Sequence, residues 1–268
     1  MRIFGILNIT PDSFSDGGRF LEPEAALAHA RKLVKDGADV LDIGAASSNP
    51  ESEGVEPDVE IGRLTPVVEA MKREGASLSI DTFSLAVQRW ALAQGVDYIN
   101  DIQGFAEPAL YSELAASDAK LVVMHSVQGR GRATRVEVAP DAIYDRVARF
   151  FESRLAALTA AGIARARLIL DPGMGFFLGT DPEASFEMLR RISDLKRAFG
   201  LPVLISVSRK SFLRKITGRG PGESGPASLA AEIFAVLEGA DYLRTHDPAA
   251  TRDALAVWRT LAGGPRPH

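Results

Sequence analysis

The sequence predicts an α/β protein of the (β/α)8 barrel (TIM barrel) class, a single domain over residues 1–268. Three observations carry that prediction. Short apolar, β-rich runs alternate with longer segments of helical periodicity along the chain. The runs are almost continuously apolar, as parallel strands covered on both faces must be. Eight such units in 268 residues come to about 33 residues each, which fits a barrel of roughly 250 residues. A doubly wound open sheet is the competing topology.

The elements follow in order. The first strand is expected from Ile3 to Ile9. "PEAALAHARKLVKDGAD" then puts Ala26, Ala30, Leu33 and Val34 on one helix face and stops at Gly37, a helix C-cap. The strand from Val40 to Ile43 precedes a helical segment from Pro57 to Gly75. The strand from Leu78 to Ile80 precedes Ser84 to Gly95, and that from Tyr98 to Ile102 precedes Glu107 to Ser117. Leu121 to Met124 leads into Asp141 to Gly162, and Leu168 to Leu170 into Pro182 to Gly200. The last two strands, Val203 to Val207 and Tyr242 to Arg244, precede Ser228 to Gly239 and Pro248 to Gly263. "DGADV", "QGVDY", "FGLPV" and "EGADY" repeat one helix-stop, Gly, strand-start signal. Trp90 and Trp258 fall on apolar helix faces and read as core, whereas His29 and His268 read as exposed.

Composition narrows the function classes. With 46% hydrophobic and 25% charged residues the chain is ordinary globular material, and a net charge of −4 (31 basic, 35 acidic) gives no footprint for nucleic acid. The absence of cysteine excludes disulfides, thiolate metal sites and a Cys nucleophile. No stretch approaches the ~18 apolar residues of a membrane span, and no signal-peptide pattern opens the chain. A cytoplasmic location is the expectation.

In a barrel, function belongs to the loops after the C-terminal ends of the strands. The strands end in order at Asn8 with an Asp12/Asp16 loop, Asp42 with "GAASSNP", Asp81–Thr82, Asn100–Asp101, His125–Ser126, Asp171 with "PGMGFF", "SRKS", and Arg244–Asp247. Any one of these is open to a capping role. Eight polar ends converging on one face point to a site. Arg244 and His246 alternate on a strand, and Asp247–Pro248 reads as the N-cap and first residue of a helix, so "RTHDP" carries an anion-site signal. A neighbouring carboxylate is the alternative partner for Arg244. Lys210 is expected to point inward, with Ser211 at a helix start suited to a carboxylate; a simple N-cap beside a solvated Lys is the alternative. Asp81, Asn100 and Asp171 suit the donor edge of a flat heterocycle, or else an oxygen-ligated Mg²⁺. Zinc-type His spacing, a Gly-x-Ser-x-Gly elbow and a nucleotide P-loop are absent.

These motifs, in this order, resemble dihydropteroate synthase, an enzyme that joins 6-hydroxymethyl-7,8-dihydropterin diphosphate to 4-aminobenzoate on a (β/α)8 barrel and usually dimerises. The matching stretches are "GILNITPDSFSDGG", "DIG" at Asp42–Gly44, "SIDT", "INDI", "VVMHS", "LILDPGMGF", "SRKSFL" and "RTHD". The resemblance implies that Asp81, Asn100, Asp171 and Lys210 hold the pterin, and that Asn8, Ser48, Arg244 and His246 hold the diphosphate, with Mg²⁺ beside Asn8. It implies that Phe14, Pro50, Phe176, Phe177 and Ser211 form the 4-aminobenzoate pocket. It further implies that Asp81, Lys210, Arg244 and His246, with Asp16 from a first loop closing on a Gly17–Gly18 hinge, assist a dissociative displacement through a pterin cation. Two departures stand out. Ser48 and Asn49 take the place of the family's Thr and Arg, and "GMGFFLGT" brings Phe176, Phe177 and Leu178 with no Lys. Both resemble the sulfonamide-resistance class of these synthases. A pterin-binding methyltransferase-like barrel and a non-catalytic pterin-binding protein are the alternative readings.

Overall fold

The structure, a computed structural model, describes residues 1–9, 23–46, 54–128 and 136–263. The expectations for Asp12, Phe14, Asp16, Gly17, Gly18, Ser48, Asn49, Pro50 and His268 lie outside them.

Eight parallel strands form the sheet: β1 (Arg2–Asn8), β2 (Val40–Gly44), β3 (Leu78–Asp81), β4 (Tyr98–Asp101), β5 (Lys120–Met124), β6 (Leu168–Asp171), β7 (Leu204–Ile205) and β8 (Tyr242–Thr245). Their order runs β6-β5-β4-β3-β2-β1-β8-β7. The ends meet through a parallel bridge between Leu170 and Val203, with the Leu170 N–H donating to the Pro202 carbonyl at 2.9 Å. The sheet is therefore a barrel and not an open sheet. Around it stand α1 (Pro23–Lys35), α2 (Pro57–Arg73), α3 (Leu85–Gln94), α4 (Tyr111–Ala116), α5 (Ile143–Ala160), α6 (Pro182–Arg190), α7 (Ile192–Phe199), α8 (Ser211–Thr217), α9 (Gly225–Leu237) and α10 (Pro248–Leu261).

Successive strand residues point to opposite faces, so each strand contributes to two layers. Leu7, Leu41, Ile43, Leu78, Ile80, Ile99, Leu121, Val123, Leu168, Leu170 and Leu243 join the buried cluster that packs with the helices. Phe4, Val40, Tyr98, Val122, Ile169, Leu204 and Tyr242 form a separate cluster that plugs the barrel interior. Phe4 meets Tyr98 and Tyr242 edge-to-face at 5.0 and 5.7 Å between centroids. Two residues after Val40, Tyr98, Ile169 and Tyr242 on the same face come Asp42, Asn100, Asp171 and Arg244. The apolar plug is the floor of the polar mouth.

Five expectations need correcting. β7 is the two-residue Leu204–Ile205 and not Val203 to Val207: Val203 forms the closing bridge and its carbonyl accepts the N–H groups of Asp241 and Tyr242, and the chain turns at Val207, whose carbonyl accepts the Lys210 N–H. The segment from Pro182 to Gly200 is two helices, broken at Arg191 (φ −107°, ψ 12°). Val34 is 41% exposed while Ala26, Ala30 and Leu33 are buried, since the contact stripe of α1 is narrower than the apolar run. His29 is half-buried, and that burial, with Lys32 and Arg209 nearby, lowers its pKa. Trp90 packs against the main core, partly buried, and Trp258 is partly exposed on α10.

Candidate active site

Arg244 organises the mouth. Its Nε donates to Asp42 Oδ2 and its Nη2 to Asp81 Oδ2, each at 2.5 Å. The Arg244 side chain is 13% exposed, Asp42 fully buried and Asp81 21% exposed. One guanidinium is thus shared between two carboxylates. Burial pushes the Asp81 pKa up to about 7, because Arg244 and Lys210 lower it only against the added charge of Asp42. Burial would lower the Arg244 pKa, but Asp42 and Asp81 outweigh it and hold the guanidinium firmly charged.

Asn100 donates from Nδ2 to Asp42 Oδ2 at 3.3 Å. Asp42 Oδ1 and Asn100 Oδ1 are buried without a hydrogen-bond partner. Two acceptors in one polar mouth are thereby left for donors from outside the chain, and each unpaired buried acceptor costs about 1–3 kcal/mol. Asp171 is buried, and its Oδ1 accepts the Gly173 N–H at 2.8 Å. Burial raises its pKa to about 6, against that hydrogen bond and the charges of Lys210 and Arg244. Gly173 itself is required by crowding: φ is +74°, and a Cβ there would sit 2.5 Å from the His125 carbonyl oxygen.

Lys210 is the N-cap residue of α8, and its Nζ lies 5.2 Å from the ring centroid of Phe177. Burial and Arg244 bring its pKa down to about 8, partly offset by Asp171 and Asp81. His246 follows β8; Ser208 Oγ lies 3.0 Å from its Nδ1 and accepts its backbone N–H at 3.2 Å. Burial, with Arg209, Arg244 and Lys210, pushes the imidazole pKa down to about 3, so the ring is neutral. Asn8, at the exposed end of β1, stands in register with Gly44 on the same rim.

The loop after β6 packs against the start of α8. A Cβ on Gly175 would lie 3.5 Å from Ser211 Oγ. Ser211, Gly175, Phe176 and Lys215 line a groove of about 590 Å³ beside the mouth. Phe177 turns the other way, 6% exposed, into a cluster with Ile102 and Met124 against which Phe83 and Phe176 pack. Phe176 is the groove wall, and Phe177 lies within cation–π reach of Lys210.

The structure gathers Asp81, Asn100, Asp171, Lys210 and Arg244 in one mouth, with Asn8 and His246 on its rim. Two polar strand ends serve the scaffold instead. Asp101 accepts from Gln88 Nε2 and from the N–H groups of Gln103 and Phe105, and His125 Nδ1 lies 3.1 Å from the Pro172 carbonyl oxygen. Asp42 is the residue that sequence reasoning left without a role. Its signal was the strand period itself, which sets it on the same face as Val40 of the interior plug. Among the described residues no group of three or more His, Asp or Glu is arranged to hold a metal ion.

A family profile described as "Pterin binding enzyme" matches residues 4–246. Dihydropteroate synthase type-2 of Escherichia coli is 58% identical over 259 residues, covering 97% of this chain and 95% of that protein. Dihydropteroate synthase type-3 of Escherichia coli is 54% identical over 260 residues, covering 97% and 99%. The Xanthomonas albilineans dihydropteroate synthase solved with 4-aminobenzoic acid superimposes with a TM-score of 0.89 at 39% identity, over 98% of this chain and 94% of that one. Agreement at this level along nearly the whole length places the chain in the pterin binding enzyme family, among the dihydropteroate synthases.

Proposed function

We propose that the chain condenses 6-hydroxymethyl-7,8-dihydropterin diphosphate with 4-aminobenzoate, giving 7,8-dihydropteroate and diphosphate in folate synthesis. The observation that carries this reading is the pair of buried, unpartnered acceptors, Asp42 Oδ1 and Asn100 Oδ1, in a mouth that also holds Asp81, Asp171, Lys210 and Arg244. A flat ring rich in N–H groups satisfies such acceptors. The pterin is read as held by Asp81, Asn100, Asp171 and Lys210, and the diphosphate by Asn8, Arg244 and His246, with Ser48 outside the described residues.

In the reaction, the bond from the methylene carbon to the diphosphate oxygen breaks and its electron pair leaves with the diphosphate. Arg244 and Lys210 stabilise that departing charge, while Asp81 and Asp171 stabilise the pterin cation left behind. The amine nitrogen of 4-aminobenzoate, neutral at pH 7, closes the new C–N bond and gives its proton to solvent. Neutral His246 contributes as a hydrogen-bond donor: when the Ser208 hydroxyl donates to Nδ1, the ring proton sits on Nε2. The role read for Asp16 belongs to the undescribed first loop.

A Mg²⁺ is part of the proposal. The side-chain oxygen of Asn8 is a hard ligand, and with no group of three or more His, Asp or Glu arranged for a metal among the described residues, the ion would be held mainly by diphosphate and water. When bound it would supply charge stabilisation to the leaving group. The 4-aminobenzoate carboxylate is assigned to Ser211, with Phe176 forming the pocket wall, Phe177 packed behind it away from the groove, and Phe14 and Pro50 lying outside the described residues. Extra aromatic bulk there would penalise a sulfonamide, which carries more volume than the substrate, by ~2–3 kcal/mol or roughly 30- to 150-fold. We also propose a homodimer and, because a diphosphate ester does not cross membranes unaided, a cytoplasmic location. No described helix is long and apolar enough to cross a membrane.

The decisive assay measures diphosphate release from the pterin substrate with and without 4-aminobenzoate. Release that depends on the arylamine is expected, and in the same assay Phe176→Ala and Phe177→Ala should become more sensitive to sulfamethoxazole. Arylamine-independent release, or none, would overturn the function, and unchanged drug sensitivity in both variants would overturn the resistance reading.

A further inference from the structure

Helix α9 stands behind the two loops that carry Lys210 and His246. Its buried face is made of Ser228, Ala231, Glu232 and Ala235. Ser228 and Glu232 are four residues apart and so lie above one another on the helix. Ser228 Oγ accepts the N–H of Arg209 at 2.9 Å and donates to the Ser224 carbonyl at 2.8 Å. Arg209 is a non-glycine residue in the left-handed region (φ 59°), immediately before Lys210. Backbone of that kind persists only where its surroundings hold it. Ser228 is such a hold.

Glu232 plays the same part for the other loop. Only 2% exposed, its Oε2 lies 2.7 Å from Thr251 Oγ1, which in turn lies 2.9 Å from the Asp247 carbonyl oxygen. A threonine hydroxyl has a single proton, so it donates fully to only one of these two acceptors. The Asp247 carbonyl already accepts the Thr251 N–H at 3.2 Å, and it gains the hydroxyl proton as well when a carboxylic acid on Glu232 donates to Thr251 Oγ1. Burial favours that state, raising the carboxyl pKa to about 7 against the hydroxyls of Thr251 on α10 and Thr245 on β8. The charged group facing it, Asp247, raises it further. Thr245 Oγ1 accepts the Asp247 N–H at 3.2 Å and lies 3.5 Å from Ser208 Oγ, the atom that holds His246.

We propose that Glu232 is a positioning residue, a neutral carboxylic acid heading a hydrogen-bond chain through Thr251 to the Asp247 carbonyl, which with Ser228 keeps the two anion-binding loops in register. The proposal rests on the reading of Lys210, Arg244 and His246 as the anion site. Its test uses inorganic diphosphate as probe, by calorimetry on the full-length protein, with Glu232→Gln and Glu232→Leu. The carboxamide of Gln donates to Thr251 as the acid does, so E232Q should bind within about twofold of the parent, whereas E232L should bind about five- to tenfold more weakly. E232L should keep or raise Tm, because it removes a buried carboxyl whose Oε1 has no hydrogen-bond partner. The infrared difference between parent and E232Q at pH 6, below the value of about 7, should carry the C=O band of a protonated carboxyl, a signature that decides even if E232L does not fold. Parent-like diphosphate binding by E232L, equal losses in both variants, or no protonated-carboxyl band would each overturn the proposal. A parent that fails to bind inorganic diphosphate would instead overturn the anion-site reading beneath it.

Discussion

Arg244 is where a single side chain decides most. A fork of N–H donors bridges Asp42 and Asp81, and a lysine ammonium, a point charge on a flexible stem, cannot reproduce two directed bonds at once. Arg244→Lys should therefore leave Asp42 short of a partner in a fully buried position. We expect a stability loss of ~3 kcal/mol, the scale of breaking a buried pair, with kcat/KM for the pterin substrate falling about 100-fold. Thermal melts and steady-state rates check both, and a variant with parental kinetics would remove Arg244 from the leaving-group role. The two sequence readings of Arg244, anion ligand and carboxylate partner, are not exclusive. In the ligand-free chain the carboxylates orient the guanidinium that the diphosphate would meet. Sequence could not show this, because Arg244 and Asp42 are 202 residues apart and meet only when β8 lies beside β1, and β1 beside β2.

At the scale of elements the strand period was the most legible signal. The alternation that sends Tyr98 and Val122 into the barrel interior already separates Asn100, which faces the mouth, from Asp101, which caps a turn, and sets His125 apart from Met124. What it could not supply was length: β7 stops after Ile205 because the loop behind it is shaped by Arg209 and Ser228, and α6 breaks from α7 at Arg191 inside an unbroken helical pattern. Helix α9 shows how one element serves two surfaces. Its inner face holds the loops, while its outer face exposes Leu237 (55%) and, beside Ile216 of α8 (60%), Phe234 (39%). Phe234, Ile216, Phe186 and Leu213 line an apolar groove of about 400 Å³. Exposed apolar surface is the kind that protein association covers. We place the proposed dimer contact there, and Phe234→Glu should convert a dimer to a monomer in analytical ultracentrifugation with the site residues untouched. A dimer that survives the substitution would move the interface elsewhere.

For the whole molecule, net charge says little, because the chain's overall −4 is unrelated to the balance at the mouth. There three carboxyl groups face two cations and a neutral imidazole, and their titrations set opposite demands on folding and turnover. Ligand binding wants Asp81 and Asp171 ionised to accept N–H bonds, and Lys210 charged. With folded-state values of about 7, 6 and 8, kcat/KM for the pterin substrate should follow a bell whose maximum lies between about pH 7 and 8. Stability runs the other way. A carboxyl whose pKa is raised on folding binds its proton more tightly in the native state, so its contribution is greatest at low pH and is lost as pH rises from the unfolded value of 3.8 through about 7 for Asp81 and about 6 for Asp171. A lysine whose pKa is lowered to about 8 from 10.5 destabilises the fold below the lower value and recovers stability as pH rises between the two. His246 and His125, lowered to about 3 and about 4, add stability as pH rises to 6.5. The ligand-free enzyme should therefore lose Tm chiefly between about pH 6.5 and 7.5, where Asp81 and Glu232 ionise and close to where turnover peaks. Substrate donors that ionise the carboxylates would reverse the loss, so adding pterin diphosphate should raise Tm most in the same interval. Parallel pH profiles of Tm and kcat/KM measure this, and a Tm that climbs with activity across that range would mean that the buried carboxyls are already ionised in the free enzyme.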